Sequence, residues 1–129
     1  MKTLLLILSL LLITTNAYAE WTIFFTSVDG DVFFYDKSSV KRNGDKIRVW
    51  SYINFSPDYI EAKSLDMGSG RSLEEIDCVN ETVKLLALHR FTKTNLEGEI
   101  KGRNVPNPTI DYIVPDSVSA TLMKLVCKK

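Results

Sequence analysis

The residues that could do chemistry are few, and the first of them is the single histidine, His89. A serine, cysteine or threonine nucleophile needs an activating base that a third group holds in place, and no such arrangement accompanies His89. At the two-residue period of a strand, His89 shares a face with Leu85, Ala87 and Phe91. We therefore expect an imidazole in the core or at its edge, and we predict no catalytic residue.

The acidic residues suggest two further chemistries. The 16 acidic side chains could supply a pair of glycosidase carboxylates, but the sequence does not distinguish such a pair from solvated loop charges. Asp29-Gly30-Asp31 could begin a calcium-binding loop, but the further oxygen ligands and the closing glutamate of an EF-hand loop are missing. A glycine-centred turn between two strands is favoured. We expect neither a metal nor a cofactor.

The N-terminus predicts export. Lys2 supplies a positive charge, residues 4–13 form an apolar run, and Ala17-Tyr18-Ala19 has the small residues of a cleavage site. The apolar run is shorter than the roughly 20 residues that a spanning helix needs. We predict a cleaved signal peptide over residues 1–19 and a mature protein that begins at Glu20, located in the periplasm, at the cell surface or outside the cell.

Cys78 and Cys127 are the two cysteines of the chain. An exported protein reaches an oxidising compartment, where two cysteines have one possible intramolecular pairing. The C-x-x-C spacing of a redox or metal pair is missing. We predict a disulfide that stabilises the fold by roughly 4 kcal/mol, with free thiols as the alternative.

The size and charge of residues 20–129 are those of a single, nearly neutral domain. The full chain has 16 basic and 16 acidic side chains, so the loss of Lys2 leaves a net charge of about −1. A nucleic-acid-binding protein would show a strong basic excess, and a membrane-surface helix would be basic and amphipathic. We therefore exclude nucleic acid and the membrane surface as partners.

Alternating apolar and polar residues predict a series of strands. The predicted strands cover residues 21–26, 32–36, 46–55, 73–78, 81–92 and 109–114, with a short strand within 95–102. A helix is the competing prediction for residues 81–92. Residues 56–72 are predicted to be an exposed connection with one short strand at most.

The chain is predicted to end in a helix. Pro115-Asp116-Ser117 can open and cap it, and Val118, Leu122, Leu125 and Val126 fall at helical spacing. Cys127 would then end the helix while Cys78 lies beside the central strand. A disulfide between them would join the helix to the sheet.

One face of the strand at residues 46–55 is the best candidate for a binding surface. It carries Lys46, Arg48, Trp50 and Tyr52, and aromatic rings beside flexible cations are enriched at protein interfaces. A two-layer domain must cover one sheet face, so the helix or a loop could instead cover Trp50 and Tyr52. A homodimer through this face is the third alternative.

Short motifs along the mature chain resemble those of the surface-adhesin protein E family, which consists of small exported bacterial proteins. The resemblance lies in the order and spacing of Trp21, Tyr35-Asp36 with Ser39, Arg42-x-Gly44, Val49-Trp50, Asp77-Cys78, Leu85 with Leu88, Glu97-Gly98-Glu99, Pro115-x-Ser117 and Val126-Cys127. It implies an α+β fold, with an antiparallel sheet of about five to six strands, a C-terminal helix packed on it and one disulfide between the two cysteines. It also implies a non-enzymatic protein that binds host matrix or plasma proteins.

Two features differ from the family pattern. The residue directly after the predicted cleavage site is Glu20 and not a cysteine, so we expect the chain not to be lipid-anchored. The segment before the first cysteine, residues 74–78, is acidic here, whereas the adhesin is basic and implicated in ligand binding there. Lys84 and Arg90 remain as basic counterparts, with Arg71 a weaker candidate.

Two functional hypotheses follow. The first is an adhesin-type protein that engages host or envelope proteins through Lys46, Arg48, Trp50 and Tyr52, with Lys84 and Arg90 as further ligand contacts. The second is a soluble periplasmic accessory protein of the envelope without a host ligand.

Overall fold

The computed structural model describes residues 18–59 and 63–128. The predicted signal peptide falls mostly on residues 1–17 and so lies outside the described residues. Within the described ranges, no helix is long and apolar enough to cross a membrane.

We number the strands β1 to β8 and the C-terminal helix α1. The strands span Trp21–Thr26 (β1), Val32–Asp36 (β2), Lys41–Asn43 (β3), Lys46–Asn54 (β4), Ser69–Asp77 (β5), Thr82–Phe91 (β6), Ile100–Asn104 (β7) and Asp111–Tyr112 (β8). A short 3₁₀ helix, Lys37–Ser39, follows β2, and α1 spans Val118–Val126.

The strands described here form one antiparallel sheet of eight strands, in the order β1-β2-β4-β5-β6-β7. The prediction of an antiparallel sheet with a C-terminal helix is confirmed, but the predicted count of five to six strands is wrong. At two places in the sheet, two short strands follow one another along the same edge of a longer strand. Strands β2 and β3 both pair with β4 in this way, and β7 and β8 both pair with β6.

In both places, a local feature of the chain separates the two short strands. Between β2 and β3 the chain forms the 3₁₀ helix, which Asp36 caps by accepting a hydrogen bond from the amide of Ser38. Between β7 and β8 lie Pro106 and Pro108, which have no backbone N–H to donate to a neighbouring strand.

The strand prediction for residues 81–92 is confirmed by β6, which lies between β5 and the β7–β8 position. The start of β5 differs from the prediction, because the strand begins at Ser69 rather than near Leu73. Ser69 and Gly70 give no apolar alternation in the sequence. They are nevertheless held by pairing, with Ser69 opposite both Asn54 and Phe91.

The hydrophobic core lies between α1 and one face of the sheet, which we call the helix face. From the sheet, Ile47, Val49 and Ile76 are fully buried there, and Leu122 and Val126 of α1 pack against them. The predicted apolar stripe of the helix is thus confirmed at Leu122 and Val126, while Leu125 is exposed.

The disulfide joins Cys78 to Cys127, as predicted. Cys78 directly follows β5 and Cys127 caps the C-terminal end of α1, with the two Cα atoms 5.8 Å apart. Both cysteines pack at the edge of the core. The bond therefore fixes the end of the helix to the sheet.

Candidate binding face

The opposite side of the sheet, which we call the open face, carries the residues that the sequence singled out on β4. Side chains alternate along a strand, so Lys46, Arg48, Trp50 and Tyr52 point away from the buried Val49. Because α1 packs on the helix face, the helix does not cover Trp50 and Tyr52.

Neighbouring rings, rather than the helix, bury Tyr52. Its ring stacks on Phe34 at 4.3 Å between centroids, and Trp21 meets it edge-on at 4.8 Å. Only 7 % of Tyr52 is exposed, and this burial raises the pKa of its phenol. Strands β1, β2 and β4 therefore contribute one aromatic residue each to a packed cluster on the open face.

Arg71 on β5 forms the centre of a second cluster. Its guanidinium carbon lies 5.3 Å from the ring centre of Trp50 and 5.5 Å from that of Phe91. Both distances fall within the range of cation–π attraction. The cluster thus holds a permanent positive charge between two aromatic rings.

His89 completes this second cluster. The Nη2 atom of Arg71 lies 2.9 Å from Nδ1 of His89, and the imidazole stacks on Trp50 at 5.7 Å. Burial, and then the charge of Arg71, lower the pKa of His89. Because arginine can only donate, Nδ1 must accept and the ring proton of the neutral imidazole resides on Nε2.

The position of His89 agrees only partly with the prediction. It shares its face with Ala87 and Phe91, but Leu85 lies on the helix face. The pairing of β5 with β6 shifts register between Leu73 and Glu74, so one extra residue of β6 interrupts the alternation. The histidine is partly buried on the open face, where Gly102 of β7 lies so close to the ring that a Cβ there would clash with it.

A serine in the 3₁₀ helix between β2 and β3 forms a hydrogen bond with the backbone of Trp50. The Oγ of Ser39 accepts from the backbone N–H of Trp50 at 2.9 Å and donates to the carbonyl of Asp36 at 2.7 Å. A side chain thereby replaces the strand partner that β4 lacks between β2 and β3. This contact gives a physical role to the Tyr35-Asp36 and Ser39 motif.

The cations of the open face surround one carboxylate. Glu75 accepts from Arg48 Nε at 3.1 Å and lies 4.0 Å from Lys84 Nζ. Lys46 is exposed and lies opposite Asp77 in the register of β4 and β5. Ion pairs near the surface stabilise little, so Arg48, which is 59 % exposed, could pair with a ligand instead.

The structure brings together five of the six predicted ligand contacts. Lys46, Arg48, Trp50, Tyr52 and Lys84 share the open face, whereas Arg90 lines a cavity on the helix face. Sequence reasoning missed the part played by Trp21, Phe34 and Phe91. These residues meet β4 and β5 through strand pairing, which no local pattern reveals.

Within residues 18–59 and 63–128, no three histidine, cysteine, aspartate or glutamate side chains are grouped so as to hold a metal ion. The open face instead carries aromatic rings, a partly buried guanidinium and cations at the surface. Such a surface is suited to binding, since aromatic residues and arginine supply most hot-spot energy at interfaces. Fold and surface together define a small disulfide-linked domain in which one helix packs on one face of an antiparallel sheet.

The family model for surface-adhesin protein E matches residues 21–128, so the chain belongs to the surface-adhesin protein E family. The resemblance inferred from the sequence motifs is thereby confirmed. A search of the curated proteins gives no match.

Solved structures of Haemophilus influenzae protein E share the fold. Crystal form II superposes with a TM-score of 0.63 at 13% identity, over 88% of this chain and 91% of that one. A second structure of Haemophilus influenzae protein E gives 0.61 at 13% identity, over 88% and 87% of the two chains. Protein E from non-typeable Haemophilus influenzae gives 0.59 at 12% identity, over 88% and 78%. At such low identity the likeness shows the fold alone.

Proposed function

We propose that this protein is an exported, non-enzymatic surface adhesin that binds host matrix or plasma proteins through its open face. The main observation in support is the cluster of Arg71, Trp50 and His89, which lies on the sheet face that the helix leaves uncovered. Family membership supports an adhesin rather than a periplasmic accessory protein without a host ligand.

The two kinds of group on the open face would act differently. The cations Lys46, Arg48 and Lys84 would attract an acidic protein surface and set the association rate. The rings around Arg71 would supply the desolvated centre of the contact. Arg90 belongs to the other face and has no part in the proposed contact.

Charge reversal on the open face tests the proposal. We expect Lys46→Glu with Arg48→Glu to weaken capture on a panel of immobilised matrix and plasma proteins, on the order of tenfold at low salt. The remaining binding should depend less on salt, because fewer charge contacts are left to screen. Surface plasmon resonance at several salt concentrations measures both effects.

The matched control is Lys124→Glu, which changes an exposed lysine of α1 on the other side of the molecule. This variant should bind like the wild type. Equal losses in the control and the double variant would overturn the assignment of the open face, and a wild-type protein that captures none of the panel would overturn the adhesin proposal.

A further inference from the structure

A cavity of about 460 Å³ lies on the helix face, between the sheet and the start of α1. Its volume is typical of sites that bind small molecules. The walls are mainly apolar, as shown by Phe24, Phe33, Ile53, Phe55, Leu88 and Leu122. The cavity therefore suits a ligand with an apolar body.

A short row of polar groups interrupts these walls. The hydroxyls of Ser51 and Ser72 lie 3.1 Å apart, and Ser72 Oγ donates to Glu74 Oε1 at 3.5 Å, at the long limit of a hydrogen bond. All three side chains line the cavity. Glu74 thus presents a carboxyl group whose hydrogen-bonding capacity is largely unused by Ser72.

Among the described residues, Glu74 forms no ion pair, whereas the adjacent Glu75 forms two. Both ion pairs formed by the described residues that involve these carboxylates go to Glu75, on the open face. Burial raises the pKa of Glu74, which shows that its charged form is poorly solvated. A half-buried carboxylate of this kind would be complemented by a cationic donor from a ligand.

The second charged group of the cavity does not alter this preference. Arg90 lies opposite Gly70, four residues along β5 from Glu74, which separates the two backbone positions by roughly 13 Å at about 3.3 Å per residue. Arg90 is exposed, so water and salt screen its charge. Selection among headgroups is therefore decided at Glu74, where screening is weaker.

We propose that this cavity binds a small apolar amine, whose alkyl or aryl body contacts the aromatic walls and whose ammonium group pairs with Glu74. The site lies on the opposite side of the sheet from the open face and does not depend on the adhesin function. Charge complementarity with Glu74 distinguishes an amine from an acid or an alcohol of the same length.

Calorimetric titration with decylamine, decanol and decanoate tests the proposal, at ligand concentrations below micelle formation. We expect decylamine to bind at least about tenfold more tightly than either of the other two, because a hydrogen bond to a charged group is the stronger kind. Failure of decylamine to bind, or equal affinity for all three compounds, would overturn the proposal.

Three variants locate the site. Glu74→Gln should remove the preference for the amine, while Glu75→Gln, the adjacent carboxyl on the open face, should leave it intact. A Cβ at Gly70 would make ordinary van der Waals contacts with Ile53 and Phe55, so the backbone there accepts a side chain, and Gly70→Leu should extend into the cavity and abolish binding. Thermal unfolding of each variant confirms that it is folded.

An unchanged amine preference in Glu74→Gln, or unchanged binding in Gly70→Leu, would overturn the assignment. The open-face double variant of Lys46 and Arg48 should bind decylamine like the wild type. Its result separates a failure of this proposal from a failure of the adhesin proposal.

Discussion

At the scale of single residues, Glu74 and Glu75 have opposite surroundings although they are adjacent in the chain. Alternation along β5 turns Glu75 toward Arg48 and Lys84, while Glu74 faces the cavity beside α1. Burial raises the pKa of Glu74 above its ordinary value of 4.5. The acidic segment before Cys78 therefore divides between two faces of the sheet.

The raised pKa of Glu74 predicts how stability changes with pH. A folded-state pKa above the unfolded value gives stability that is fully present below 4.5 and is lost as the pH rises through the folded pKa. Glu74→Gln removes this loss. We expect the variant to gain unfolding free energy over the wild type between about pH 4 and about pH 7.

Urea unfolding at several pH values measures the gain. For the control, Glu75→Gln, the difference in unfolding free energy from the wild type should not increase with pH. A Glu74→Gln difference that stays constant over this pH range would contradict the burial of a proton-binding carboxyl.

At the scale of elements, a covalent bond and a cap act at the two ends of α1. Cys78 and Cys127 close a loop with a sequence separation of 49 residues. At the other end of α1, Ser117 Oγ accepts from the amide of Ala120 at 3.2 Å. The disulfide therefore fixes one end of the helix to the sheet, and the cap stabilises the first turn at the other end.

Removal of the disulfide should be the most destabilising change at this scale. In the chain-entropy model, a loop of this length contributes roughly 4 kcal/mol, so Cys78→Ala with Cys127→Ala should lower the unfolding free energy by about that amount. Chemical unfolding with and without reductant provides the measurement. A wild-type midpoint that reductant does not move would contradict the prediction.

Loss of the helix cap should have a smaller effect. Ser117→Ala leaves the amide of Ala120 without its side-chain acceptor, and we expect a loss of about 1 kcal/mol. Ser119→Ala, two residues further on, is the control, because Ser119 does not cap the helix. Equal losses in the two variants, measured by thermal unfolding, would argue against a capping role.

At the scale of the whole molecule, the sheet separates two surfaces with different chemistry. The helix face encloses the apolar core and the cavity, whereas the open face presents rings and cations to solvent. An adhesin needs the second surface outside the cell. The cellular position of the protein is therefore the decisive property at this scale.

We predict that the protein is accessible at the surface of intact cells. Antibody binding and protease cleavage on intact and permeabilised cells measure this, with a periplasmic protein as the control. Protection until permeabilisation would place the protein in the periplasm and contradict adhesion to host proteins. The family assignment would still hold, since it concerns the chain and not its location.

Local patterns predicted most of the secondary structure. Strand β4 alternates cleanly over residues 46–54, and Ser117 precedes the helix as its cap. The predictions were poorer where hydrogen bonds to distant residues determine the secondary structure, as at Ser69 in β5 and in the 3₁₀ helix between β2 and β3. Neither has an apolar repeat, and both are held by hydrogen bonds to residues distant in sequence.

Residue type, order and spacing were sufficient to predict the strand character, the C-terminal helix, a disulfide between the two cysteines and the family. Strand pairing and helix packing show which surface is open and which residues share it. Arg71, Trp50 and His89 come from three strands, and their proximity depends on strand register and on a bulge in β6. A one-residue shift in register moves a side chain to the other face, and no local pattern in the sequence fixes that choice.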